Sequence, residues 1–291
     1  MSEKTVNLLV PVDFSGESKK ALPVAQYLAG VYNAEITLIH ILELPGGIAK
    51  LFSNVDEDGA RKAVLDRLDA LIDEQPEGVK YHKMIKTGRP SAKIIEAAIE
   101  LNANCIVMGT NGASGMQELL SGSNTARVIK HAPCPVISLR HHTQDVNFNK
   151  ILLPIDLTRE TGEKLKLGVE FAQNFNAGLI LLTILEQNDE ESKKRLNKRL
   201  KMALDHIRKN KVPVESTTLI KKGDISDLVI NYAHESGADL IAIMTQQELA
   251  FRETLLGSNA SHVVNHSPIP VLSIRPEKEY KETKFESAIF G

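Results

Sequence analysis

Short unbroken apolar runs alternate along this chain with stretches whose apolar residues recur at helical spacing. Leu8–Val12 is the first run, and Asp13-Phe14-Ser15-Gly16 after it supplies turn and helix-cap chemistry. Ala21, Leu22, Ala25, Leu28 and Ala29 then fall on one helical face. Pro23 argues against an unbroken helix upstream, because its ring meets the carbonyl four residues back unless it lies in a first turn. Glu35–Leu42 predicts a second strand, and Val64, Leu68, Leu71 and Ile72 an amphipathic helix over Ala60–Ile72. Val79–Ile85 reads as an edge strand, and Gly88-Arg89-Pro90-Ser91 opens a helix carrying Ile94, Ile95, Ala98 and Ile99. Cys105–Met108 is apolar throughout, the mark of a strand covered on both faces. A helix from about Ser123 to Lys130 and the strand Val136–Leu139 complete the set.

The set occurs twice. Asn7–Asp13 (NLLVPVD) matches Lys150–Asp156 (KILLPID) at an offset of 143 residues, which also superposes Asn33-Ala34 on Asn176-Ala177. Farther on the offset is 135, so the second copy's middle is eight residues shorter; His131–Arg140 (HAPCPVISLR) then falls on His266–Arg275 (HSPIPVLSIR). The second copy's strands are Ile151–Ile155, Leu179–Leu185, Val214–Leu219, Leu240–Ile243 and Val271–Ile274. Strands alternating with helices imply right-handed βαβ units and a parallel sheet with helices on both faces. The expected architecture is therefore two doubly wound, Rossmann-like α/β domains with parallel five-stranded sheets, over residues 1–143 and 148–276, followed by a polar tail at 277–291.

Composition narrows the function classes. At 291 residues, 42% hydrophobic and 25% charged, the chain has ordinary globular usage. Lys+Arg of 35 against Asp+Glu of 37 gives no global field for nucleic acid or an anionic membrane, and aromatics at 4% are too few for a base-stacking surface. No apolar run approaches the ~20 residues that span a bilayer, so the expectation is a cytoplasmic protein. Two cysteines, Cys105 and Cys134, are too few for a disulfide scaffold or a four-cysteine zinc site, and both read as small core residues. Lys193–Lys211 carries nine Lys/Arg with Leu196, Leu200, Leu204 and Ile207 at helical spacing, which reads as the solvated face of an amphipathic helix. His141 and His142 read as solvated linker residues, and His131 and His266 as helix C-terminal residues.

Ligands of doubly wound sheets bind beyond the carboxyl ends of the strands, where strand order reverses. Two segments lead there: Pro11-Val12-Asp13, and Gly109 to Thr125. The second has Gly109, Gly112 and Gly122-Ser123 at a spacing of Gly-x2-Gly-x9-Gly-Ser. Glycines at these points permit positive φ and close approach of backbone N–H groups to an anion. A helix beginning at Gly122-Ser123 adds unpaired N–H groups and its dipole, and Ser123 and Thr125 add hydroxyls. Asp13 could accept from a ribose hydroxyl or bind a metal through water. The same residues also suit a plain long turn and a capped helix. No Walker pattern is present and no Lys occupies the loop, which argues against vigorous phosphoryl transfer.

This motif, with PVDFS after the first strand, resembles the universal stress protein family, and the resemblance covers both copies, about residues 4–140 and 148–276. It implies a stress-response regulatory protein that holds ATP, or ADP or AMP, with or without Mg, in the first copy and passes that state to protein partners not identifiable from sequence. Residue by residue, it implies Pro11, Asp13, Ile41, Met108 and Gly109 around the adenosine, and Gly112, Gly122, Ser123, Asn124 and Thr125 along the phosphates. In the second copy Met244 stands for Gly109 and Gln247 for Gly112, so weak or no nucleotide binding is expected there, on the grounds that side chains at both places crowd the path of the phosphates and that Met244 cannot cheaply take positive φ. The resemblance further implies pairing of the last strands, Val136–Leu139 with Val271–Ile274, as an intramolecular pseudo-dimer, with homo-oligomers beyond it open. An interaction scaffold indifferent to nucleotide, and a slow ATPase, are the alternatives.

Overall fold

The apolar runs form parallel strands and the periodic stretches the helices between them. A computed structural model describes residues 5–43, 56–110, 124–140, 146–155, 161–245 and 258–274. The chain divides into two compact units, Met1–Val136 and Ile137–Lys281, apart from the last ten residues. In the first repeat the strands are β1 (Val6–Pro11), β2 (Ala34–Leu42), β3 (Tyr81–Thr87), β4 (Cys105–Gly109) and β5 (Val136–Leu139). Their order is β3-β2-β1-β4-β5, with β1 parallel to both β2 and β4, and β3 at the edge. The second repeat has β6 (Lys150–Ile155), β7 (Gly178–Leu185), β8 (Val214–Ile220), β9 (Leu240–Met244) and β10 (Val271–Ile274), in the order β10-β9-β6-β7-β8, again with parallel pairs. Both repeats are thus doubly wound α/β arrangements whose order reverses beside the first strand.

Nine described helices connect the strands. In the first repeat they are α1 (Gly16–Lys19), α2 (Ala21–Tyr32), α3 (Glu57–Asp73), α4 (Pro90–Glu100) and α5 (Asn124–His131). Pro23 sets the break between α1 and α2. With no N–H to offer Lys19, it sits in the first turn of α2, and Lys20 ends one helix and begins the next. Asn33 closes α2 in the left-handed conformation at φ 49°, and its repeat counterpart Asn176 does the same at φ 51°. Pro90 opens α4 at its first turn. The second repeat has α6 (Thr161–Asn174), α7 (Glu190–Lys209), α8 (Ile225–Glu235) and α9 (Ser258–His266). In α7, Ala203 and Ile207 are buried while Lys194, Lys198 and Lys201 are exposed, in keeping with an amphipathic helix.

Each core lies along the central strands. Leu8, Leu9 and Val10 of β1 and Ile106 and Val107 of β4 are fully buried, as are Ile151, Leu152, Leu240 and Ile241 in the second repeat. Cys105 and Cys134 are buried free thiols, and burial, with Cys105 as neighbour, pushes the Cys134 thiol well above its ordinary pKa. Both are core residues. No described helix is long and apolar enough to cross a membrane.

Candidate functional site

Where β1 and β4 part, a crevice must open at their carboxyl ends, and the sequence ensures that they part. Asn7 O accepts from Asn104 N, and the ladder runs on through Leu8 with Cys105 and Leu9 with Ile106. Alternation makes residue 11 the next to donate toward β4, since Val12 N donates the other way, to Ile39 O at 2.8 Å. Residue 11 is proline and has no hydrogen to give. The second repeat has the same device, with Asp239 N donating to Lys150 O, paired residues Ile151 with Leu240 and Leu152 with Ile241, and then Pro154.

Beyond Pro11 the chain turns on hydrogen bonds of its own. Ser15 donates to Asp13 Oδ1 through both its N–H (3.0 Å) and its hydroxyl (2.5 Å), and caps α1 by accepting from Ser18 N. Asp13 N donates to Ser18 Oγ at 3.2 Å. The Asp13 carboxylate is therefore held at the mouth of the crevice. His40, near the end of β2, bonds through Nδ1 to Val12 O at 2.8 Å, and its ring lies 4.8 Å from that of Phe14. Ile41 follows at the same strand end, half-buried.

The far wall is the end of β4. Met108 is buried and Gly109 half-buried. A Cβ on Gly109 would lie 2.6 Å from the carbonyl oxygen of Glu17 in α1, so glycine is required there by close backbone approach. This corrects one expectation: Gly109 does not adopt positive φ, and neither does Met244 in its place. Met244 is half-buried at the corresponding strand end of the second repeat. Thr125, in the first turn of α5, is buried, and its hydroxyl donates to Gly109 O (3.2 Å) and Thr110 O (3.3 Å). That hydroxyl fastens α5 to β4. Asn124, one residue earlier, is exposed at the helix start. Gly112, Gly122 and Ser123, like Asp156, Gln247, Gly257, His141 and His142, lie outside the described residues.

The structure thus brings Pro11, Asp13, Ile41, Met108, Gly109, Asn124 and Thr125 to the carboxyl end of the first repeat's sheet, α1 meeting β4 through Gly109 and α5 meeting it through Thr125. Sequence reading passed over Arg67, whose guanidinium carbon sits 4.0 Å above the Phe14 ring, because residues so far apart in the chain carry no local signal of meeting. It passed over His262 too, whose ring stacks on His266 at 4.0 Å and whose Nε2 is 3.0 Å from Asp227 Oδ1.

The sequence profile of the Universal stress protein family matches residues 5–140 and again 147–275. The chain belongs to that family. A universal stress protein of Methanocaldococcus jannaschii is 33% identical over 140 residues, covering 46% of this chain and 81% of that protein. Among solved structures, a universal stress protein from Archaeoglobus fulgidus superposes with a TM-score of 0.68 at 22% identity, covering 93% of this chain and 96% of its own. A functionally unknown protein from Pseudomonas aeruginosa does so with a TM-score of 0.67 at 18% identity, covering 99% of both chains. The universal stress protein fold therefore extends over both repeats.

Proposed function

We propose that this universal stress protein binds one adenine nucleotide, ATP foremost, in the first repeat and acts as a nucleotide-dependent regulator of protein partners. The observation that carries the reading is the meeting of three elements at one strand end: Asp13 held by Ser15, α1 against Gly109, and the start of α5 tied to β4 through Thr125. Such an arrangement offers a carboxylate to a ribose hydroxyl on one side and helix N–H groups to phosphate on the other. Among the described residues no cluster of three His, Cys, Asp or Glu side chains could hold a metal ion. Where magnesium accompanies the nucleotide, Asp13 is the residue that would meet it, through water. The second repeat, with Met244 at its strand end, is proposed to bind nucleotide weakly or not at all.

Equilibrium dialysis of the full chain against labelled ATP should give about one site per chain. Gly122→Asp, which puts a carboxylate at a position that by family resemblance lines the phosphates, should abolish it. Unchanged binding in that variant refutes the site, and a wild-type chain indifferent to ATP favours the scaffold reading.

A further inference from the structure

The turn after β1 contains a conformation that should not persist by itself. Phe14 has φ 64°, in the left-handed region that a bulky side chain avoids. Its ring is engaged by two residues from elsewhere in the first repeat: Arg67 of α3, 4.0 Å above it, and His40 of β2, with ring centroids 4.8 Å apart. His40 also bonds to the carbonyl of Val12, two residues before Phe14. The residue between them is Asp13, whose N–H and carboxylate are engaged by Ser18 and Ser15. Two distant elements therefore clamp both flanks of the residue placed at the crevice mouth.

We infer that the Arg67–Phe14–His40 stack is a positioning device that holds the left-handed turn at Phe14 and thereby presets the Asp13 carboxylate for its ligand. The inference rests on the nucleotide reading for its ligand and on the turn geometry for its mechanism. None of the three stacked side chains need touch the nucleotide. They act by sparing the site the cost of ordering residues 12–18 on binding. In the second repeat Thr183 occupies the place of His40, and its hydroxyl is shared with Thr218 Oγ1 at 2.7 Å and Thr217 O at 3.3 Å. There the side chain at this position bonds to β8 instead.

Three variants of the full chain test this: Arg67→Met, which keeps an unbranched stem but removes the cation, Phe14→Ala and Phe14→Gly. In ligand-free protein, amide hydrogen exchange at Asp13 and Ser18 should quicken about threefold in Arg67→Met, the size of an exposed cation–π contact, with Leu9 and Val10 unchanged. Labelled-ATP dialysis should show Phe14→Ala binding about fivefold more weakly than Phe14→Gly, since only glycine holds a left-handed φ without penalty. A side chain that merely fills space would give the opposite order. Unaltered exchange in both Arg67→Met and Phe14→Ala, or Phe14→Ala binding as well as Phe14→Gly, overturns the clamp. If no variant binds ATP, wild type included, the nucleotide reading fails while the exchange rates still decide the clamp.

Discussion

The two repeats share their frame and differ in what they place on it. At the start of the first strand, Asn104 Oδ1 accepts from Asn7 N at 2.7 Å in one repeat, and the Asp239 carboxylate accepts from Asn149 N and Lys150 N in the other. At the other end of the sheet the correspondence fails. Gly109 admits the backbone of α1, whereas a half-buried Met244 side chain stands at the same place in the second repeat. Thr110 Oγ1 is buried with no partner among the described residues, while the hydroxyl of Thr245 donates to Ile274 O at 3.3 Å. The amino ends of the strands were thus preserved as scaffold, and the carboxyl ends, where ligands of such sheets bind, diverged.

The sharpest way to break this comparison is Gly109→Ala. The added methyl would press on the Glu17 carbonyl at 2.6 Å, and backbone has little freedom to retreat. The first unit should lose about 1–3 kcal/mol by denaturant titration, with ATP affinity falling alongside. Met244→Ala should carry no such overpacking penalty. Thr125→Val comes next. Removing the hydroxyl, whose single hydrogen the Gly109 and Thr110 carbonyls share, should cost about 1–2 kcal/mol, and a stability unchanged from wild type would show that α5 is anchored by something else. Smaller is the contrast between threonines: Thr245→Val should cost about 1 kcal/mol, and Thr110→Val nothing or a slight gain, because only the first forfeits a hydrogen bond.

The subtlest difference is in proton linkage. Burial raises the Asp239 pKa above the ordinary aspartate value, and the amides of Asn149 and Lys150 offset this only in part. The folded chain then binds a proton there more readily than the unfolded chain. This contribution to stability is greatest below the usual aspartate range and is lost as pH rises through the raised value. Asp239→Asn should remove that slope. Melting temperatures of variant and wild type, followed from acid to neutral pH, should converge toward the acid end and differ toward neutrality, and parallel curves would contradict the assignment.

Much of this was legible in the chain. Strands such as Val136–Leu139 and Val271–Ile274 stand out as unbroken apolar runs between turn residues, and Pro23 announced the break at Lys20. The glycine at 109 was legible as a requirement and misread as to cause, because sequence reveals that a Cβ is unwelcome without revealing what it would strike. Thr125 was legible as a candidate hydroxyl beside the phosphates, but not the bonds of that hydroxyl to the carbonyls of Gly109 and Thr110 at the end of β4, which only tertiary folding creates. The Arg67–Phe14–His40 contacts join a helix, a turn and a strand, and only tertiary folding creates them.

Pro11 and Pro154 have a lasting consequence. Each withholds the next hydrogen that its own strand would donate toward the neighbour, so the ladder is weakened there and a notch is favoured whatever becomes of its occupant. A repeat that sheds its ligand therefore still keeps a vacant doorway, and new chemistry can be furnished there by altering loops alone, without reopening the sheet.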